Sequence, residues 1–249
     1  EAMNLYTRPV AMSLANKINA AAATFAADNA LNSAGSPGTA PTSEATYLAG
    51  GDILCELGLP EGEELKLIIN RRMSTAFVSG TKTLFNDVGA ISKQWRQGHM
   101  VDSLGYNVYR DQTINTHTVG TYAGTPLVNG ANQTADGGNN ATMTLVTDGW
   151  TSGGATLNVG ERFVIGSASV AAGVGVLSVH PQTRVSTGRQ QTFTVTTQIS
   201  DTTGAMTITI DPPILTSGRL QTGVASPAND ATIKETGATG AVSPQGLGF

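Results

Sequence analysis

The chain has 249 residues, 39% hydrophobic and 13% charged, with 30 glycines, and is long enough to bury a core without a metal or disulfide staple. Its formal charge of −4 and a sequence pI near 5.3 exclude a broad phosphate-binding face, which needs clustered Lys and Arg, so sequence-specific nucleic-acid binding is not expected. Cys55 is the single cysteine, which excludes an intrachain disulfide, and no apolar run approaches a bilayer span, so no membrane partner is expected.

The opening "EAMNLYTRPV" lacks the positive-then-apolar layout of a signal peptide. Between Arg8 and Leu31 an Ala-rich segment carries Val10, Leu14, Ile18, Ala22 and Phe25 at helical spacing. This pattern predicts a helix over Pro9 to Ala30 with Pro9 in its first turn, a rod about 33 Å long that must lie against other structure. "NSAGSPGTAPTSE" reads as a loop ending at Thr42 or Ser43, either able to cap a helix in "EATYLAGGDILCELG". In that helix Tyr47, Leu48, Ile53, Leu54 and Leu57 are its apolar positions, and Cys55 reads as a buried packing thiol. "LKLIIN" predicts a strand buried on both faces. "RRMSTAFVSGTKTLF" and "DVGAISKQWRQG" predict short helices with Met73, Phe77, Ile91 and Trp95 facing inward.

Charge thins sharply near Gln112, and after Lys93 the only lysine is Lys234. A domain boundary is expected there. Beyond it "ATMTLVTDG", "ERFVIGS", "GVLSVHP", "QTFTVTTQI" and "AMTITIDPPI" are strand candidates separated by Gly, Asp, Ser and Pro, which favours a small antiparallel barrel or sandwich. "TLNVGERFVIGS", with a Gly-Glu-Arg corner, reads as two strand pieces around a turn.

Signatures of catalysis fail in turn. The chain has no phosphate loop, no G-x-G-x-x-G after a strand, no H-E-x-x-H, no C-x-x-C and no G-x-S-x-G. His99, His117 and His180 are too scattered to suggest a metal site and read as solvated or backbone-bonded imidazoles. "ADGGNN" offers Asp136 and amide oxygens but no closing Glu, so it reads as a loop and not a calcium site. The sequons at Asn132 and Asn140 lack a secretory signal. Arg71, Arg72, Lys93 and Arg96 form the one basic concentration, either a solvated helix face or partners for acids on a neighbouring subunit.

"IINRRMSTAFVSGTKTLFND", "ISKQWRQGHMVDSLGYNVYRDQTINTHTVGT", "GWTSGGATLNVGERFVIG" and "VHPQTRVSTGRQQTFTVT", in this order, resemble the major coat proteins of tailed double-stranded DNA phages. The order is similar to the P twenty-two type, in which an inserted β-barrel interrupts the Hong Kong ninety-seven capsid fold. The resemblance implies an α+β chain: residues 1–32 the end of a long spine helix, 33–112 part of an apical domain, 113–240 the antiparallel barrel, and 241–249 a linker returning to the capsid core. It makes the "TLNVGERFVIGS" pieces an interior strand pair of a closed barrel. It also implies a long loop within Thr121 to Asn140 that touches the next capsomer, making Asp136, Asn139 and Asn140 contact residues beside Arg71, Arg72, Lys93 and Arg96. The family's N-terminal arm, extended loop and peripheral domain have no counterpart here, which implies a partial chain.

By that resemblance the function expected is structural: self-assembly in hexamers and pentamers, with scaffolding and portal proteins, into an icosahedral shell around packaged DNA. No catalysis, cofactor or metal is expected, and the location is the virion, built in the host cytoplasm. The alternative is a tail or decoration protein that binds carbohydrate, for which the back half offers Tyr122, Trp150, Phe163, Phe193 and Phe249 as aromatic platforms.

Overall fold

A computed structural model of the chain describes residues 2–35, 39–60, 62–81, 104–114, 116–135, 142–166, 175–236 and 242–244. The first element is α1 (Ala2–Asp28), 27 residues and about 40 Å long. The helix starts at Ala2, so Pro9 lies inside it and not in its first turn; the alanines around it offset the one missing N–H. The apolar face, expected to lie against other structure, is bare among the described residues: Val10, Leu14, Ile18 and Phe25 are 69%, 61%, 60% and 72% exposed.

A small α/β unit follows. Helix α2 (Glu44–Glu56) is capped by Ser43, whose hydroxyl accepts from the Ala45 N–H. Strand β1 (Leu65–Ile69) runs straight into α3 (Arg71–Gly80), where Asn70 Oδ1 caps the Met73 N–H at 2.9 Å. Strand β2 (Tyr106–Arg110) returns parallel to β1, pairing Leu65 with Tyr106 through Ile69 with Arg110. Tyr47, Leu67, Ile69, Met73, Phe77 and Tyr106 make the core, with Tyr47 edge-on to Phe77 at 5.1 Å and the Tyr106 hydroxyl donating to the Tyr47 carbonyl at 2.8 Å.

Two expectations for this unit are corrected. Strand β1 is buried on one face only: Leu67 and Ile69 are inside while Lys66 and Ile68 are exposed, because among the described residues nothing covers the other side. Cys55 is exposed and not a buried thiol, since it lies two positions past buried Ile53, about 200° round the helix. The helix expected around Ile91 and Trp95 lies outside the described residues.

The back half is a nearly closed antiparallel barrel. Its strands are β4 (Gly124–Val128), β5 (Met143–Trp150), β7 (Arg162–Ile165), β10 (Thr192–Val195), β12 (Met206–Asp211) and β13 (Ile233–Glu235), in the order β13-β7-β10-β12-β5-β4, all neighbours antiparallel. The two edge strands then meet. Leu127 bridges Thr232, the Val128 N–H donates to Ala231 O at 2.9 Å, and the Asp230 N–H donates back to Val128 O at 3.0 Å. Closure removes the free edges that would pair with other chains. Leu145, Phe163, Ile165, Phe193, Val195, Ile208 and Ile210 fill the interior, each fully buried.

Around the barrel lie short ladders. β6 (Thr156–Leu157) pairs with β11 (Ile199–Ser200), β8 (Leu177–Val179) with β9 (Ser186–Gln190), and β3 (Thr116–Thr118) with β14 (Val242–Pro244). "TLNVGERFVIGS" does form two strand pieces, but they are not an interior pair: β6 pairs with β11 while β7 sits between β13 and β10. The Gly-Glu-Arg corner turns the chain out of one ladder into another. Within the span Thr121 to Asn140, where a long loop is expected, Gly124–Val128 is the strand that meets β13, and residues 136–140 lie outside the described residues. Where 241–249 reads as a linker, Val242–Pro244 pairs with β3, the strand that leads into the barrel.

Candidate functional site

Where α1 ends against the barrel, a joint of polar side chains is built by strand register. Antiparallel pairing sets Thr194 opposite Arg162, so both project from the outer face side by side, while Phe163 and Phe193, also paired, point inward with rings 5.9 Å apart. Outside, the helix end lies across them. Arg162 Nε donates to Ala30 O at 2.9 Å, its Nη2 donates to Ala27 O at 2.8 Å, and Thr194 Oγ1 donates to Ala30 O at 3.1 Å. These carbonyls have no partners further along the helix, and a cation is favoured there by the helix dipole. Burial lowers the affinity of Arg162 for its proton and Asp28 opposes the shift, but a guanidinium remains charged.

The close approach depends on Gly160. A Cβ there would lie 3.0 Å from the Asp28 Cα, and the residue has φ +84°, a conformation that side chains rarely adopt. His117 of β3 lies on the same side, half-buried with its Nε2 unpartnered. Burial and nearby Arg162 lower its pKa, while Asp28 raises it.

Inside the same corner stands Glu161, 2% exposed. Its Oε1 accepts from the Gly120 N–H and its Oε2 is unpartnered. Burial pushes the carboxyl up to about 7, with backbone N–H donors pulling down and Glu235 pushing further up. The Tyr122 hydroxyl is buried, unpartnered and raised by burial, then by Glu161 and Glu235. Its ring packs on Trp150 at 5.6 Å.

The residues expected from sequence lie elsewhere. Arg71 and Arg72 occupy the first turn of α3, exposed to solvent. The helix dipole disfavours cations there, so their positions do not serve the helix. Lys93, Arg96, Asp136, Asn139 and Asn140, like His99 and Phe249, lie outside the described residues. Sequence reading placed Glu161 and Arg162 at a corner but missed the joint. The available signal was a buried-strand rhythm whose outward position is an Arg opposite a Thr. Among the described residues no group of three His, Cys, Asp or Glu is placed to hold a metal ion, and no helix is long and apolar enough to cross a membrane.

No family model and no curated protein matches the chain. Among solved structures, a chain titled "CUS-3 coat protein I-domain" is similar, with 26% sequence identity over 47% of this chain and 97% of that one, at a TM-score of 0.31.

Proposed function

We propose that this chain is a structural subunit of the phage coat-protein kind, which assembles with copies of itself into a shell around packaged double-stranded DNA. The observation that carries this reading is α1. From Tyr6 to Asn19 every residue of the helix is exposed, and Tyr6, Val10, Leu14, Ile18 and Phe25 lie along one side of it. A helix this bare gains little from the described residues of its own chain, and helices in water depend on packing an apolar face. The four sequence stretches resembling coat proteins supply the partner class: sister subunits in hexamers and pentamers, aided by scaffolding and portal proteins, in a virion assembled in the host cytoplasm.

Magnitudes favour many contacts over one. Burying each large side chain of the stripe contributes about 1.5–3 kcal/mol, while a single association costs on the order of 4–15 kcal/mol. One stripe alone therefore gives weak pairing, and repetition around a closed shell makes it sufficient. The net charge of −4 suits an inner wall that does not cling to phosphates. No observation favours carbohydrate binding: Trp150, Phe163 and Phe193 are core residues, and Tyr122 packs against that core.

The test is electron microscopy of particles from cells expressing the complete reading frame with its scaffolding protein. Shells are expected from the wild type. Leu14→Asp with Ile18→Asp should abolish them while leaving the urea midpoint of the barrel unchanged. Wild-type protein that stays monomeric at high concentration with scaffolding present would refute the reading.

A further inference from the structure

The corner at Glu161 contains more chemistry than a structural turn requires. Glu161 immediately precedes β7 and is buried on the side of Phe163, two positions on; Glu235 lies directly opposite Phe163 on β13 and shares that face. Two carboxylates thus converge on one end of the barrel, above the Tyr122–Trp150 pair. Glu161 is nearly wholly buried with Oε2 unpartnered, and the Tyr122 hydroxyl beside it is buried and unpartnered too. The other Glu161 oxygen accepts from the Gly120 N–H, and the next residue, Thr121, exchanges backbone hydrogen bonds with Thr156 at 2.8 and 3.0 Å. Gly120 lies so close to the Thr156 carbonyl that only glycine fits. The segment from Val119 to Ala123, which leads the chain from β3 into the barrel, is held by backbone bonds at Thr121 and Ala123 and, through Gly120, by this one side-chain carboxyl.

We propose that Glu161 is a proton-operated latch: with its proton on, the neutral carboxyl packs the 119–123 segment onto the barrel, and losing that proton places an unpaired charge beside Glu235 and loosens the segment. The reasoning is electrostatic. A lone ionised carboxylate in a buried site is strongly disfavoured unless a cation or several donors face it. Among the described residues the groups that face Glu161 are Tyr122 from the 119–123 segment, neutral, and Glu235 from β13, of like charge. Across the chain at Gly160 lie Asp28 of α1 and His117 of β3, and the neighbouring Arg162 is turned outward onto the Ala27 and Ala30 carbonyls. The cation next door is thus committed elsewhere. This latch is independent of whether the chain assembles.

The sign follows from the raised pKa. Below the ordinary carboxyl value the contribution of Glu161 is fully present, and it is lost as pH rises through about 7. His117, whose pKa is lowered, acts in the opposite sense, with stability lost as pH falls below its ordinary value. Wild-type protein should therefore lose stability between pH 5 and 8 as an alkaline slope distinct from any acid slope. The experiment combines urea unfolding across that range with carbon-13 NMR of the glutamate carboxyls and amide exchange at Gly120. Expected results are a Glu161 signal titrating near neutrality, Gly120 exchange that accelerates at least tenfold beyond the base-catalysed rise between pH 6 and 8, and loss of both slope and excess acceleration in Glu161→Gln. A Glu161 carboxyl that titrates in the ordinary range in wild type would overturn the proposal without any variant. So would a stability gain at pH 8 on adding calcium that Glu161→Gln abolishes, since a cation and not a proton would then be the occupant.

Discussion

Arg162 shows how one side chain can tie two parts of the molecule together. It donates through two different nitrogens to two carbonyls at the end of α1, while Thr194 across the ladder meets one of the same carbonyls. Charged hydrogen bonds of this kind contribute about 1.5–3 kcal/mol each, more than neutral ones, and truncation leaves acceptors unsatisfied. Arg162→Ala should lower the unfolding free energy by about 2–4 kcal/mol and reduce helical circular dichroism, because α1 loses its only charged cap among the described residues. Arg162→Lys should recover less than half of that loss, since an ammonium cannot span both carbonyls in one plane. Equal stability of all three proteins in urea would show that the joint contributes nothing. At the surface the opposite holds: the Arg189–Glu56 ion pair, 2.8 Å but about 40% exposed on both sides, stabilises little.

Among the elements, β5 has an unusual neighbour. The side chain of Gln133 lies along it like a short extra strand: Oε1 accepts from the Val146 N–H at 2.7 Å, and Nε2 donates to Val146 O at 3.0 Å and to Asn129 O at 2.8 Å. The Ala135 N–H then donates to Ile214 O at 3.0 Å. The stretch after β4 is therefore stitched to the barrel, so a deletion from Gln133 onward would not spare barrel folding, as a free contact loop would allow. Gln133→Ala should cost about 1–2 kcal/mol, read as a lowered urea midpoint with an unchanged slope. A midpoint within error of the wild type would mean that water replaces the amide at no cost. Helix α1 contrasts with these tightly bonded strands: its alanines give it helical propensity, but its apolar side has nothing to pack on within the described residues.

At the scale of the whole molecule, β3 and β14 bring the two ends of the barrel together, with Thr118 opposite Val242 and Thr116 opposite Pro244. A chain whose entry and exit strands pair can be inserted into a host domain with little disturbance. A fragment of residues 113–244 should unfold cooperatively and exceed one of residues 113–240 by about 1–2 kcal/mol, because only the longer fragment completes that ribbon. Identical urea curves for the two would show that the ribbon adds nothing to the barrel. Much of this architecture was legible beforehand. Alternating Thr and apolar residues mark β5, β10 and β12 and an apolar run marks β7, since a half-buried strand needs a two-residue rhythm, and Ala-rich spacing marks α1, since a helix repeats every 3.6 residues. Strands β4 and β13 escaped notice because "GTPLV" and "IKE" are too short or too broken by Pro to show a rhythm, yet they close the barrel. Local sequence by itself determined the helices α1 to α3 and the strands with a clear rhythm, because propensity and periodicity act over a few residues. Only the tertiary structure decided that Arg162 meets Ala27 and Ala30, that Glu161 and Glu235 share one end of the barrel, and that the stripe of α1 stays bare, because register and closure bring together residues far apart in the chain, up to 135 positions for Arg162 and Ala27.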